Sequence, residues 1–163
     1  MINKMSNGES REIDTEFQIR EVKEEDFEKG LLEVYIEGYR YHHEGRPDVF
    51  IELTEEEYRK DLNRIIEKML ILVIVDDGNV VGYLSYVIKK GHTNKLNVDQ
   101  LVIKKDYRGK GLGRMLMDEV KNIAIKNNCQ RIELNCWLFN TNALEMYEHI
   151  GFDKQRIIYE MKL

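Results

Sequence analysis

The sequence predicts a mixed α/β domain in which one central β-sheet carries helices on both faces. Apolar runs of strand length alternate with segments whose apolar residues recur at three- and four-residue steps, the period of a helix. A tight turn at 76–79 joins two strand-like runs and favours a hairpin. A glycine-rich stretch at 108–114 separates a further strand from a helix. The predicted order, β-α-α-β-β-β-α-β-α-β, suits one mixed sheet.

The first half of the chain is predicted to supply one strand and two helices. Residues 17–22 alternate like a strand, and residues 23–43 carry apolar side chains at helical spacing. The only proline lies in a break at 44–48. Thr54 begins the second helix as a hydroxyl cap with Glu57 at the third position after it, and this helix runs to about residue 69.

The second half is predicted to supply five strands and two helices. The strands are 70–75, 80–89, a strand that ends at residue 103, 131–137 and a last strand near 156–162. The helices are 112–128 and about 141–149. Because no repeat, linker or low-complexity tract interrupts this pattern, we expect one domain over residues 17–163.

Composition limits the kinds of partner. The chain has 163 residues, 42% of them hydrophobic and 34% charged, as in soluble globular proteins. A net charge of −5 argues against a general nucleic-acid binder, and no apolar run is long enough to span a membrane. Residues 1–16 are polar and lack the apolar core of a signal peptide, so they are interpreted as a flexible tail.

The two cysteines point to a reducing compartment. Cys129 and Cys136 have no metal-ligand spacing, and two cysteines do not make a disulfide framework. With no export signal, the cytoplasm is the simpler setting. We expect Cys136 on the buried face of its strand; a catalytic thiol is the less favoured alternative, because no histidine lies near it in sequence.

The stretch 108–114, called the glycine loop below, is a candidate anion site. Glycines between a strand and a helix let backbone N–H groups approach an anion, and the helix that starts at its end adds partial positive charge. Arginine and lysine side chains stand beside the glycines. The residues of the loop are Arg108, Gly109, Lys110, Gly111, Leu112, Gly113 and Arg114.

Two familiar nucleotide-binding patterns do not fit this loop. A P-loop needs four residues between its glycines and then Lys-Ser/Thr, and neither occurs here. The dinucleotide fingerprint needs a third glycine three positions after a Gly-x-Gly pair, where this chain has Arg114 or Leu116. A plain strand–helix turn is the alternative to an anion site.

The sequence Arg108-Gly-Lys-Gly-Leu-Gly113 resembles the Arg/Gln-x-x-Gly-x-Gly/Ala loop of the GNAT superfamily, the acyl-CoA-dependent N-acyltransferases. Downstream, the spacing of Asn140, Ala143, Tyr147 and Gly151-Phe152 is similar to the second signature of the same family. The resemblance covers residues 70–162 well and the N-terminal part in outline. It implies that the loop holds the pyrophosphate of coenzyme A or acetyl-CoA.

The resemblance also implies roles along the cofactor's path. In GNAT proteins the strand before the loop splays from its neighbour, and the pantetheine arm pairs with it; the matching residues are Leu101, Val102 and Ile103. Tyr147 matches a tyrosine that often protonates the departing thiolate, and a half-buried helix tyrosine is its alternative. Asn140, together with Ala143, is expected at the cofactor; the Asn140 side chain caps the helix or bonds the pantetheine amide.

The general base is less well defined. Some family members place a glutamate where this chain has Asn135, and an amide cannot accept a proton at neutral pH. Glu133 lies two residues earlier on the same strand face. Asp99 matches a position on the central strand where many relatives carry an acid, and we favour it, acting directly or through water. The alternatives are that Asp99 is a solvated charge and that bulk water takes the proton.

The acceptor site is expected around the first two helices, which cover the acceptor in relatives. Aromatic and histidine side chains gather there and suit a small amine; they are Tyr35, Tyr39, Tyr41, His42, His43, Arg46 and Phe50. The alternative is that the tyrosines are the core stripe of a helix and the histidines are solvated. The two histidines lack further ligands at diagnostic spacing, so no metal is expected.

These observations predict an acetyl-CoA-dependent N-acetyltransferase that works on a primary amine by direct attack in a ternary complex. Aminoglycosides, polyamines, amino acids and protein N-termini all remain candidate acceptors. A non-catalytic acyl-CoA sensor and an interaction module with a vestigial loop are the alternatives. Look-alikes often dimerise through their last strands, so a homodimer is also considered.

Overall fold

The computed structural model describes residues 17–163, so the predicted tail at 1–16 lies outside the described residues. The strands are β1 Gln18–Glu21, β2 Leu70–Asp76, β3 Asn79–Lys89, β4 Lys95–Ile103 and β5 Arg131–Leu134. The helices are α1 Leu31–Gly45, α2 Glu55–Lys68, α3 Leu112–Lys126 and α4 Thr141–His149. Short 3₁₀ turns at Glu24–Phe27 and Lys105–Tyr107 precede α1 and the glycine loop.

The five strands form one mixed sheet in the order β1-β2-β3-β4-β5. The first four pair antiparallel, and β5 pairs parallel to β4. Helix α3 packs on one face of the sheet against residues such as Leu84, while α1 and α2 pack on the other against residues such as Tyr83. The predicted mixed α/β architecture with helices on both faces is therefore confirmed.

The predicted helix at 23–43 is divided in the structure at Gly30. Its φ of 105° is in the left-handed region, and a Cβ at this position would lie 2.5 Å from the Val80 carbonyl oxygen. The backbone of Lys29 accepts a hydrogen bond from Val80 N–H at 2.8 Å, which ties the break to the start of β3. Helix α1 thus begins after a glycine that allows close approach to the sheet. Helix α2 begins at the predicted capping box of Thr54 and Glu57.

Two irregularities of β4 prepare the site. Gln100 pairs with Ser85 and Val98 with Tyr86, so Asp99 is an extra, unpaired residue that forms a β-bulge. Toward β5, residues Lys95 to Val98 pair with Arg131 to Leu134, and the pairing then stops. The last five residues of β4 therefore have no strand beside them on the β5 side within the described chain.

The predicted last strand at 156–162 is wrong, and the predicted strand at 131–137 ends early, at Leu134. Residues 153–163 form no regular element. Glu160 and Lys162 make ion pairs with Arg46 and Asp48 in the α1–α2 connection, at 3.0 Å each. The alternation of the sequence satisfies the local condition for a strand, but a strand also needs a neighbour for its backbone, and this segment has side-chain partners instead.

The early end of β5 changes the position of Cys136, which was expected on the buried face of a strand. It lies beyond the end of β5 and is half-buried. Its burial raises the pKa of the thiol, which disfavours the thiolate and with it the alternative of a catalytic nucleophile.

Among residues 17–163, no helix combines the length and apolar character needed to cross a bilayer.

Candidate functional site

The divergence of β4 from β5 creates the central feature of the site. Leu101, Val102 and Ile103 pair on one side with Leu84, Tyr83 and Gly82 of β3. On the other side no described strand pairs with them, so their outward-facing backbone groups, except the Ile103 carbonyl that accepts from Arg108, are available to a ligand. The side chains of Leu101 and Ile103 pack on the α3 side, and Val102 packs on the α1 side.

The glycine loop follows β4 through one 3₁₀ turn and enters α3. Gly109 and Gly111 have φ angles of 77° and 78°, a backbone conformation that favours glycine. A Cβ at either position would meet no atom of the described residues within 4 Å, so these residues leave the space outside the loop open. Gly111 is the N-cap of α3 and offers no side chain to the first N–H groups of the helix. Such a terminus can bind an anion.

The loop, β4 and α4 meet at one point. A Cβ at Gly113 would lie 3.3 Å from the Met146 sulfur and 3.9 Å from side-chain atoms of both Ile103 and Leu101. The Leu112 side chain is buried in the core, so this residue can meet a ligand only through its backbone. Lys110 and Arg114 are exposed. The predicted cofactor residues of the loop are thus brought together with the splayed end of β4.

The Arg108 side chain is engaged within the protein. Its guanidinium donates to the Ile103 carbonyl at 2.9 Å and to the Glu37 carboxylate at 3.0 Å. It also lies 5.9 Å from the centre of the Tyr41 ring. The sequence analysis did not identify Glu37, because no motif includes it. Its role becomes visible only when folding brings α1 against the segment that leads into the glycine loop.

Asn140, Ala143 and Tyr147 lie on α4 or at its start. The Asn140 side chain accepts a hydrogen bond from Ala143 N–H at 3.3 Å and so caps α4. The Tyr41 hydroxyl donates to the same oxygen at 3.4 Å. Tyr147 is half-buried, and this burial, together with nearby Cys136, raises the pKa of its phenol well above the usual value. The phenol is therefore protonated at neutral pH.

Asp99, the bulged residue, lies on the sheet face that α1 and α2 cover. Burial raises the pKa of the Tyr83 phenol, and the negative charge of Asp99 adds to this effect; the Tyr83 hydroxyl donates to Gln100 at 2.7 Å. Although Asp99 is exposed, partial loss of water raises the pKa of its carboxyl. Ser85 and Asn97 are nearby in the register and each carries a buried side-chain oxygen without a hydrogen-bond partner in the described structure.

Glu133 is a poor proton acceptor in this arrangement. Lys95 and Arg131 donate to its two carboxylate oxygens at 2.6 Å and 2.7 Å. These hydrogen bonds lower the pKa of the carboxyl to about 2. Asn135 is exposed just beyond the end of β5. Of the acids that the sequence suggested, Asp99 is the one without an ion-pair partner among the described residues and with a raised pKa.

The predicted acceptor residues divide between the core and a surface cluster. Tyr35 is 3% exposed and packs with Tyr39 and Tyr58 between the two helices, as the alternative of a core stripe expects. The Tyr39 hydroxyl donates to the Ile51 carbonyl at 3.0 Å. His43 bonds the Phe50 carbonyl through Nδ1. Tyr35 is therefore part of the structural core.

A surface aromatic cluster joins the C-terminal end of α1 to the segment after β5. Its members are Tyr41, His42, Phe50, Trp137 and Phe139, with neighbouring ring centres 5.3 to 6.3 Å apart. The sequence analysis did not identify Trp137 and Phe139, although Trp137 is the one tryptophan of the chain and ends the predicted strand 131–137. His42 bonds the Gly38 carbonyl at 2.8 Å, and within residues 17–163 no three metal-ligating side chains converge.

Comparisons with known proteins agree with this geometry. The model of the family described as "Acetyltransferase (GNAT) family" matches residues 25–152. A "Probable spermine N(1)-acetyltransferase" of Bacillus subtilis subsp. natto is 30% identical over 82 residues, which are 47% of this chain and 54% of that protein. The chain spans about half the length of the curated relatives it matches.

Two solved structures share the fold. The tetramutant of the BH1408 protein of Bacillus halodurans superposes with a TM-score of 0.75 at 22% identity, covering 90% of this chain and 99% of that one. An aminoglycoside N-acetyltransferase in complex with CoA superposes with a TM-score of 0.70 at 14% identity, covering 90% and 95%.

Proposed function

Since the chain belongs to the acetyltransferase (GNAT) family, we propose that it moves an acetyl group from acetyl-CoA to a primary amine by direct attack. One observation carries the proposal. The open glycine loop, the unpaired end of β4 and helix α4 meet around Gly113, where a Cβ would lie within 4 Å of Ile103 and Met146 side-chain atoms. This arrangement offers an anion site, an extended backbone and a phenol in succession. The relative named for spermine supports an amine as the acceptor.

The described residues fit acetyl-CoA. The N–H groups of the glycine loop and the start of α3 would bind its diphosphate, beside the exposed charges of Lys110 and Arg114. The unpaired backbone of Leu101, Val102 and Ile103 would bind the pantetheine arm as an added strand. Asn140 and Ala143 would contact the same arm from α4. When bound, acetyl-CoA supplies an acyl thioester.

The chain's own residues then have three tasks. A backbone N–H at the bulged part of β4 donates to the carbonyl oxygen on which negative charge develops. Asp99 takes one proton from the ammonium, which frees the nitrogen lone pair to attack the thioester carbon, and water takes the second proton that the nitrogen loses after the C–N bond forms. Tyr147, whose phenol is protonated at neutral pH, donates a proton to the sulfur as the C–S bond breaks. Bulk water afterwards exchanges protons with both side chains.

The acceptor amine is proposed to enter between the aromatic cluster and Asp99. The aromatic side chains provide apolar walls, and Asp99 provides a negative charge. Ser85 and Asn97 each hold an oxygen that lacks a donor, and an amine provides N–H donors. His42 and His43 lie on α1, Glu133 lies on β5 and Asn135 follows it, and we propose that these four residues border the region. A substrate with one amine would need no negatively charged side chain in addition to Asp99.

We also propose a cytoplasmic location and no nucleic-acid partner. Both cysteines are free, which suits a reducing cytoplasm. The net charge of −5 gives no basis for nucleic-acid binding.

A direct assay tests the enzyme proposal. We expect free thiol to be released from acetyl-CoA in proportion to added primary amine, with polyamines, aminoglycosides, amino acids and peptides compared side by side. A chain that binds CoA tightly but releases no thiol with any acceptor would favour the sensor. A chain whose melting temperature neither CoA nor acetyl-CoA raises would favour the interaction module, because a ligand that binds the folded state must stabilise it.

Replacing Gly111 by alanine tests the loop. The methyl group would occupy the open space that the diphosphate needs, so we expect the Kd for acetyl-CoA to rise at least about tenfold, or about 1.4 kcal/mol. Gly78 is a matched control, since its φ is 77° and a Cβ there would also meet nothing within 4 Å. Both variants should lose similar stability, about 1 kcal/mol. Equal acetyl-CoA affinity in the two variants would contradict the assignment.

Replacing Asp99 by asparagine tests the base. The wild-type rate should fall as the pH falls through the raised pKa of Asp99, because the protonated carboxyl cannot take another proton. The variant depends on amine that is already neutral, so its rate should be about 100-fold lower near pH 7 and approach the wild-type rate as the pH nears the pKa of the amine. Asp118→Asn, an exposed change on α3, is the control. A constant ratio across pH would rule out Asp99 as the base.

The C-terminal segment favours a homodimer. Along 157–163 the apolar side chains alternate with mostly charged ones, and the charged Glu160 and Lys162 face their own chain through ion pairs. The apolar residues of this alternation are each at least 75% exposed; they are Ile157, Tyr159, Met161 and Leu163. Two such faces together could bury on the order of 1,000 Å², the lower limit for a specific interface.

Two isoleucines make a matched test of this dimer. Ile157 belongs to the alternating apolar series 157, 159, 161 and 163 and Ile158 does not, and they are 75% and 79% exposed. We expect Ile157→Asp to raise the dimer dissociation constant about 100-fold and Ile158→Asp to change it little, measured by sedimentation equilibrium of the full chain. A wild-type chain that stays at 19.4 kDa at about 100 μM would contradict the dimer, since weak specific complexes have Kd values near the micromolar range.

A further inference from the structure

An acid on α1 makes the closest side-chain contact with the segment that leads into the glycine loop. The Glu37 oxygen Oε1 accepts a hydrogen bond from the backbone N–H of Lys105 at 2.6 Å. The same oxygen accepts from the Arg108 guanidinium at 3.0 Å. These two donors stand at the two ends of the short turn between β4 and the loop. One carboxylate on a different element therefore fixes both ends of this turn.

Arg108 extends the same contact to the end of β4. Its Nε donates to the Ile103 carbonyl at 2.9 Å, while its other nitrogen reaches Glu37. The planar guanidinium holds two acceptors in a fixed geometry, and the Tyr41 ring lies 5.9 Å from its centre. Residues 103–108 are thereby closed into an arch, and the glycines with positive φ begin at its end.

We propose that Glu37 is a positioning residue of the cofactor site, which holds Lys105 and Arg108 so that the N–H groups of residues 109–113 face the diphosphate. The inference rests on the proposed binding of acetyl-CoA at this loop. Glu37 itself touches no cofactor in this account. It acts through Arg108, whose charge it partly neutralises, and through the Lys105 backbone.

If Glu37 acted only through its charge, replacing it would have the opposite effect on CoA affinity from the one that a positioning role predicts. A carboxylate near an anion site repels the anion, so its removal would also free the Arg108 charge and strengthen binding. A positioning role predicts weaker binding instead, because Lys105 N–H loses its partner and the Arg108 side chain gains freedom. The sign of the change in affinity therefore separates the two accounts.

Helix α1 offers a matched control for the charge. Glu33 lies one turn before Glu37 on the same helix face and pairs with the Lys104 ammonium at 2.8 Å. Among residues 17–163 it makes no hydrogen bond to the backbone of the turn or to Arg108. Glu33→Ala removes the same charge from nearly the same place, so it reports the electrostatic effect without the positioning effect.

Titration calorimetry with CoA and acetyl-CoA tests the inference on four full-length chains. We expect Glu37→Ala to bind about tenfold more weakly than the wild type. Glu37→Gln should fall between them, because its amide oxygen still accepts one hydrogen bond. Glu33→Ala should bind as the wild type or slightly more tightly. In steady-state assays, KM for acetyl-CoA should rise in Glu37→Ala, while kcat and KM for the amine stay within about threefold.

The outcomes separate this inference from the function it rests on. Tight binding by the wild type with equal or tighter binding by Glu37→Ala overturns the positioning role alone. Equal weakening by Glu33→Ala and Glu37→Ala also overturns it, because the effect would then belong to the helix face rather than to the turn. A wild-type chain that binds neither CoA nor acetyl-CoA overturns the proposed function and this inference together.

Discussion

The site depends on one property of β4: its backbone is paired on one side along most of its length, and on the other side no strand within residues 17–163 pairs with it after Val98. Backbone N–H and C=O groups are costly to leave without partners inside a protein, so an open stretch at the centre of a sheet needs either water or a ligand. The bulge at Asp99 marks the place where the ladder becomes irregular. The open side begins there and runs to the glycine loop.

Helix α1 keeps this opening in place while it packs closely against its surroundings. A Cβ at Gly38 would lie within 3 Å of both Val102 methyl groups, and Gly45 lies directly against the Phe139 ring. The two glycines let the helix cross the end of β4 and reach the segment that follows β5. On the same helix, Glu37 is tied to the turn before the glycine loop. One helix thus contacts both the proposed cofactor side and the proposed acceptor side of the site.

Local features of the site were predictable from the sequence, and features that join distant segments were not. In the sequence, Gly109 and Gly111 indicate a backbone with positive φ, and both residues have positive φ in the structure. Glu37, Trp137 and Phe139 were missed because their importance arises only when α1 meets the loop and the end of β5. The core and acceptor roles of Tyr35 could not be separated, since a helical stripe of aromatic residues has the same spacing in both cases. The prediction of a last strand was wrong because alternation is a local property of the sequence, whereas a strand must pair with a neighbouring strand.

Amide hydrogen exchange with and without CoA tests the central claim most directly. If the cofactor pairs with β4 and sits on the glycine loop, the N–H groups of residues 109–114 and the outward-facing N–H groups of residues 101–103 should exchange more slowly when CoA is added, while those of β1 stay unchanged. Slower exchange at another surface, with residues 101–114 unaffected by saturating CoA, would contradict the account.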